Sequence, residues 1–374
     1  MDQKVFLLSA GGTGGHLFPA QALSIELSAR GHKVHLATDN RASRYADTFP
    51  CDEMHIVPSS TIGSKNPFKV AKALWTLFKG MRKSSHLIRT LRPDAVIGFG
   101  GYPTLPPLLS STQAGKPSIV HEQNAVMGRA NKLLANRVSA IAGGFLPANS
   151  GQYSDKTIVT GNPVRPAVIK AAEQAYQASS GDEVFNLVVF GGSQGAQFFG
   201  QTIPVAISKL SERTQRRLKL TLQARDEDLD QAKAQCVKMN IDADISPFFD
   251  NMAARIADAQ LVISRSGAST VSELAAIGRP AILVPYPFAL DHDQAANAKG
   301  MLEKGGAEVV AQSDLSADIL AEMIENRMNN PIEAEKMAAN AKLAGNLGAT
   351  SLLADLVEAM AQGTSIKEFK DQQA

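Results

Sequence analysis

Residues 5–31, VFLLSAGGTGGHLFPAQALSIELSARG, decide the fold. The apolar run Val5 to Leu8 empties into Gly11, Gly12, Thr13, Gly14, Gly15 and His16, and an amphipathic helical pattern follows at once. Strand, glycine turn and helix start in that order leave backbone N–H groups pointing out of the helix. There they and the helix dipole favour an anion, phosphate by default. The same glycines also serve a plain β-to-α turn, whose φ/ψ alone demands them. KVHLATD, ending at Asp39, supplies a second strand and completes a βαβ unit. Asp39 stands where a dinucleotide fold holds a ribose, so a nicotinamide dehydrogenase is one reading. The fingerprint G-x-G-x-x-G fails, however: counted from Gly12 and Gly14, its last position is Leu17.

Further along the chain the pattern returns. VFNLVVFGGSQGAQFFGQ is again an apolar strand, a glycine turn (Gly191 to Gly195) and a helix, about 180 residues on, which predicts two duplicated nucleotide-fold halves. LVISRSGASTVSELAAIGRPAILVPYP is the sharpest strand-loop-helix-strand unit. Its helix start offers N–H and hydroxyl groups of Ala268, Ser269 and Thr270 to a diphosphate. Glu273 has an acceptor pair suited to two vicinal ribose hydroxyls, or serves only as a capping partner. Other strand ends carry Gly98, Gly100, Gly101 and Tyr102, then His121, Glu122, Gln123 and Asn124, then Asn162, Pro163 and Arg165, which marks a hinge region. A lone His or Asn there can equally cap the next helix. Asp291-His292-Asp293 invites a Mg²⁺ reading, a weaker one because helix N-termini already supply positive ends.

Composition sets the outer bounds. At 374 residues with 44% apolar and 20% charged residues, the chain suits two core-bearing domains of a globular enzyme. Cys51 and Cys236 are far apart and belong to no CxxC or Cys/His cluster, so the cysteines support neither a disulfide framework nor a zinc site, and a reducing cytosol fits. No basic n-region opens the chain and no run approaches the ~18 apolar residues of a membrane span, so a secreted or membrane-spanning protein is not expected.

Net charge is +2, yet residues 1–163 hold 18 Lys+Arg against 9 Asp+Glu, leaving the remainder net negative. The excess predicts an anionic partner for the N-terminal half. Residues 62–92 concentrate it: Lys65, Lys69, Lys72, Lys79, Arg82, Lys83, Arg89 and Arg92 stand there with no acidic residue, among Phe68, Leu74, Trp75, Leu77 and Phe78. Cations with a Trp and apolar neighbours predict an interfacial helix on an anionic membrane surface. A packing helix with a solvated basic face is the plainer alternative. Nucleic acid is not expected as a partner, because no recognisable binding motif accompanies the charge.

Taken in order, GGTGGH, GFGGY, HEQN, GNPVR, GGSQGA, SRSGASTVSELAAIGRPAILVPYP and DHDQAANA resemble the family 28 glycosyltransferases of GT-B fold over roughly residues 4–350. The resemblance is to the members that convert lipid I to lipid II in peptidoglycan synthesis. It implies two Rossmann-like doubly wound parallel-sheet domains facing across a cleft. These are residues 1–163 for the acceptor and membrane, 164–345 for the UDP-sugar, and a C-terminal helix and tail, 346–374, returning toward the first domain. It implies inverting transfer of N-acetylglucosamine from UDP-N-acetylglucosamine to the C4 hydroxyl of the muramoyl sugar on an undecaprenyl-diphosphate lipid acceptor, with no metal and no cofactor, at the cytoplasmic face of the membrane. The donor contacts carried over are Thr13, Gly14, Gly15, Asn124, Arg165, Ser193, Phe249, Ala268, Ser269, Thr270, Val271, Ser272, Glu273 and Gln294. The resemblance implies that Phe249 stands beside the uracil, where the family usually has an aliphatic residue. His16 is the expected general base, since an imidazole near neutral pH can take the hydroxyl proton, with His121 and Glu122 in reserve.

Overall fold

A computed structural model describes residues 2–11, 14–40, 49–60, 66–147, 151–289 and 293–373, with side chains for all but residues 193–196. The chain divides into two compact units, Met1–Arg165 with Leu347–Ala374, and Pro166–Asn346. Both are α/β units built on wholly parallel sheets.

In the first unit β1 (Val5–Ser9), β2 (Lys33–Thr38), β3 (Glu53–Ile56), β4 (Ala95–Gly98), β5 (Ser118–Glu122), β6 (Ala140–Gly143) and β7 (Thr157–Val159) are ordered 3-2-1-4-5-6-7. Alternation along the strands fills two cores. Phe6, Leu8, Val34, Leu36 and Ile97 face one way, packed with Leu17, Leu23 and Leu27 of helix α1 (Gly14–Ala29). Leu7, Ala37, Val96 and Val120 face the other, with Ile88 of helix α2 (Pro67–Leu91) and Leu108 of helix α3 (Leu105–Gln113). A sheet covered on both faces explains why its strands read as unbroken apolar runs.

The second unit repeats the plan. Strands β8 (Phe185–Phe190), β9 (Leu218–Gln223), β10 (Asp242–Ser246), β11 (Leu261–Ser264), β12 (Ala281–Leu283) and β13 (Ala307–Val309) run in the spatial order 10-9-8-11-12-13. Leu187, Val189, Leu220, Leu222 and Ile263 pack with Phe199, Ile203 and Ile207 of helix Gly192–Ile207 and with Leu320, Ile324 and Met328 of helix Ala317–Asn329. The order reverses between β1 and β4 in one sheet and between β8 and β11 in the other. Loops leaving neighbouring strands diverge there, which opens a crevice at the carboxyl ends.

Helix Ala349–Ala361 belongs to the first unit although unit two intervenes in sequence. Its Leu353, Ala354, Leu356, Val357 and Met360 complete the α1 core. A polar clamp fixes its register: Arg30 pairs with Glu26 at 2.9 Å and with Asp355 and Glu358 at 2.6 Å each. Glu358 also meets Nε2 of buried His32 at 2.7 Å, while Nδ1 of that ring accepts from the Lys4 amide. Arg30→Ala leaves the two helix carboxylates without their cation, so it is expected to destabilise the protein by about 1–3 kcal/mol. Urea unfolding measures this; an unchanged midpoint would show that the clamp contributes nothing.

Candidate functional site

The first crevice is built around His16. Thr13 lies outside the described residues, but α1 begins at Gly14, so Gly14, Gly15 and His16 form its opening turn. The half-buried imidazole rests against the glycines that follow β1 and β4. A Cβ on Gly100 would stand 3.2 Å from His16 Nε2, and one on Gly11 would stand 3.3 Å from Nδ1. Gly100 and Gly101 also have φ of +96° and +79°, a region that side chains avoid. The Gly11 amide donates to the Gly100 carbonyl at 3.1 Å, which ties the two loops together under the ring. GFGGY therefore belongs to the seat of His16.

His121 and Glu122 are placed differently from what a reserve base requires. His121 is fully buried, its Nε2 against the Gly161 carbonyl at 3.1 Å and its Nδ1 against the Gln123 amide at 3.0 Å. Burial pushes its pKa down to about 4, so the ring stays neutral, with both nitrogens engaged. Glu122 is buried too, and burial raises its pKa against the pull of its hydrogen-bond donors. It accepts from the Asn124 amide and side chain at 3.0 and 3.1 Å, the Gly128 amide at 2.8 Å and Asn131 Nδ2 at 2.9 Å. This carboxylate shapes the loop that presents Asn124. Asn162 Nδ2 secures the same loop through the Gln123 carbonyl at 3.0 Å, and the Arg165 guanidinium lies over the Phe18 ring at 4.1 Å.

In the second unit the helix Ala268–Ile277 starts at Gly267 with no side-chain cap, so its opening amides are not taken by a capping side chain. Ser269, Thr270 and Ser272 are partly exposed, and Glu273 is buried in the first turns. The Val271 side chain is in the core and its amide donates to the Gly267 carbonyl at 3.0 Å. Ala268 is likewise buried. Asn297 Nδ2 reaches the Ser266 carbonyl at 3.3 Å, joining helix Asp293–Glu303 to this loop. Gln294 on that helix accepts from the Tyr286 amide at 2.9 Å, which aims its NH₂ away from that contact. Asp291 and His292 of the D-x-D reading lie outside the described residues.

Phe249 follows β10 and is half-buried under the Arg255 guanidinium, 4.3 Å from the ring. Arg255 is itself held by Asp244 at 2.6 Å and Asn251 at 2.8 Å. The glycine turn after β8 has a partner that sequence reasoning missed. Gln223 Oε1 accepts from the Gly191 and Gly192 amides at 3.2 and 3.1 Å, and its Nε2 donates to the Pro247 carbonyl at 3.0 Å. Those two amides are therefore taken, and the Ser193 side chain in the following helix turn lies outside the described residues.

Arg265 was also missed. Although it stands inside the quoted SRSGAS motif, nothing local marks it as buried. It donates to the Val284 and Pro285 carbonyls and to Gln312 among the rings of Phe198, Phe199 and Tyr286, and burial lowers its pKa to about 10.

The basic segment forms helix α2, whose Ala73, Gly80, Ser84 and Ile88 are buried. Its outer surface exposes Phe68 (85%), Leu74 (53%), Trp75 (57%) and Phe78 (50%). Trp75 stacks on Phe78 at 5.6 Å, and Lys79 Nζ lies 5.4 Å from the Trp75 ring. Lys65 lies outside the described residues. Among the described residues no helix is long and apolar enough to cross a membrane.

Comparison with known proteins agrees with both halves of this architecture. The glycosyltransferase family 28 N-terminal domain matches residues 6–142, and the glycosyltransferase family 28 C-terminal domain matches residues 186–353. The chain is 59% identical over 371 residues to a protein of Sinorhizobium medicae (strain WSM419), with 99% of each chain covered. That protein is named "UDP-N-acetylglucosamine--N-acetylmuramyl-(pentapeptide) pyrophosphoryl-undecaprenol N-acetylglucosamine transferase". A protein of the same name from Rhizobium rhizogenes (strain K84 / ATCC BAA-868) is 59% identical over 370 residues, again with 99% of each covered. Among solved structures, Acinetobacter baumannii MurG superposes with a TM-score of 0.74 at 28% identity, covering 96% of this chain and all of its own. With both domain matches and full-length relatives in agreement, this chain belongs to glycosyltransferase family 28.

Proposed function

We propose that the protein transfers N-acetylglucosamine from UDP-N-acetylglucosamine to the muramoyl C4 hydroxyl of undecaprenyl-diphosphate-linked muramoyl-pentapeptide, inverting the anomeric centre. The observation that carries the reading is 59% identity to a transferase of that name over 99% of both chains. In this reading the second unit takes the donor. Phe249 stands beside the uracil, Glu273 takes the ribose hydroxyls, the opening turns at Ser193 and at Ala268–Thr270 take the diphosphate, and Gln294 takes the sugar. The uncapped start of helix Ala268–Ile277 supports the diphosphate role, since its amides and dipole favour an anion.

The acceptor falls to the first unit. Its C4 oxygen attacks the anomeric carbon, the bond from that carbon to the UDP oxygen breaks, and the hydroxyl proton passes to His16. Negative charge grows on the departing UDP and is met by the helix starts and Arg165. The glycine seat around His16 supports its role as base, because it fixes the ring while keeping part of it accessible. Buried His121 and Glu122 lack that access; Glu122 instead holds Asn124, while His121 meets the Gly161 carbonyl and the Gln123 amide.

The exposed aromatic and cationic surface of α2 fits an anionic leaflet, which is where a polyprenyl diphosphate acceptor resides. The protein then works as a peripheral enzyme at the cytoplasmic face of the membrane, with no nucleic acid partner.

Radiolabelled UDP-N-acetylglucosamine supplied with a lipid I analogue should yield labelled disaccharide lipid, and release of free sugar alone would refute the transfer. His16→Ala is expected to lower turnover by roughly 10²–10⁴; a rate within a few fold of the unmutated enzyme would remove the base assignment. Charge reversal at Lys72, Lys79 and Lys83 should weaken sedimentation with anionic vesicles and leave UDP affinity unchanged. Equal binding of the unmutated protein to anionic and neutral vesicles would count against the membrane surface.

A further inference from the structure

Strands β2 and β3 form the edge of the first sheet, and their register places His35 directly opposite Glu53. His55 follows Glu53 by two residues, so all three share one face. It is the face that carries Ala37 and Val57 toward α2. The imidazoles are half-buried and nearly parallel, their centroids 5.4 Å apart. His35 Nδ1 lies 3.2 Å from His55 Nε2, and the exposed carboxylate of Glu53 lies 3.7 Å from His55 Nδ1. One candidate ligand atom from each residue lies within 4.8 Å of the other two, which no other group of three His, Cys, Asp or Glu achieves among the described residues. None of the three takes part in the glycosyl transfer proposed above.

Two nitrogen ligands of a tetrahedral zinc ion, each about 2.0–2.1 Å from the metal, stand about 3.3–3.4 Å apart. The two imidazoles already have that separation. Glu53, two-thirds exposed, rests against the other His55 ring nitrogen, Nδ1, and reaches the ion by swinging its own side chain, its ligand atom already within 4.8 Å of those of both histidines. Two neutral imidazoles and one carboxylate are a borderline donor set that suits zinc and its first-row neighbours better than the all-oxygen preference of Mg²⁺ or Ca²⁺. Lys83 is the opposing charge, and Glu53 offsets it.

We propose that His35, His55 and Glu53 form a divalent transition-metal site of the zinc class, completed by water, that fastens edge strand β3 to β2. The ion there is structural, and the plain alternative is a direct imidazole–imidazole hydrogen bond with no ion.

Full-length protein stripped with a chelator is titrated with Co²⁺ and then with Zn²⁺. One equivalent of Co²⁺ should give the visible absorption of a four-coordinate site, and Zn²⁺ should displace it. The thermal midpoint should rise by a few degrees in excess Zn²⁺. His35→Gln and His55→Gln should each weaken binding by at least about tenfold, and Glu53→Gln should weaken it while leaving the fold intact. His86→Gln, on the exposed side of α2, should bind as the unmutated protein does. No binding by the unmutated protein, unchanged affinity in either His35 or His55 variant, or a loss in His86→Gln would overturn the site. Should both histidine variants fail to fold, Glu53→Gln decides: unweakened binding overturns the proposal.

Discussion

A parallel sheet sends every strand back the way it came through a crossover on one of its faces, and where the strand order reverses, two neighbouring loops leave in opposite directions. That constraint governs both units. At the β1/β4 reversal the divergent loops carry Gly11, His16, Gly100 and Gly101; at the β8/β11 reversal they carry Gly191, Gly192 and the Arg265 to Ala268 turn. Each crevice is thereby supplied with a helix start, and helix starts bring the positive end of a dipole without any charged side chain. Chemistry on a doubly anionic leaving group suits such a scaffold.

Glycine loops alone would be poor tools, since a chain that can adopt many conformations must be held in one. The structure does this with buried polar side chains that bind backbone rather than ligand. Glu122 gathers the 124–131 turn, Gln223 collects two glycine amides, and Arg265 holds the carbonyls after β12. Each satisfies groups whose burial would otherwise be costly, and the stiffness so gained reaches the loops at the carboxyl ends of the strands. Arg279 does the same deeper down, donating to the carbonyls of Ala257, Ile277, Gly278 and Gln174 while fully buried.

Much of this was legible in the sequence because strand, glycine turn and helix are local signals. The parallel-sheet pattern, its duplication and the helix starts at Gly14 and Ala268 could be read from neighbouring residues, and the seven ordered motifs carried the family. What escaped was the partner at a distance. Gln223 meets Gly191 from 32 residues away, and no composition rule marks one glutamine at a strand end. The surroundings of the reserve bases escaped for a related reason. A histidine at a strand end looks available until packing shows that both its nitrogens are engaged. Val271 stood inside a binding motif, yet the helical period turns it inward. The pairing of His35 with His55 depends on strand register, which the sequence leaves open until the sheet is assembled.

The placement of helix Ala349–Ala361 on α1 also fixes an order of events during synthesis. The second unit is one uninterrupted stretch, 166–346, and can close its core as soon as it leaves the ribosome. The first unit has its whole sheet made earlier but lacks Leu353, Leu356 and Val357 until the last segment emerges. The half made first is thus finished last. In the interval the α1 surface lacks its helix, and its apolar face is open to aggregation.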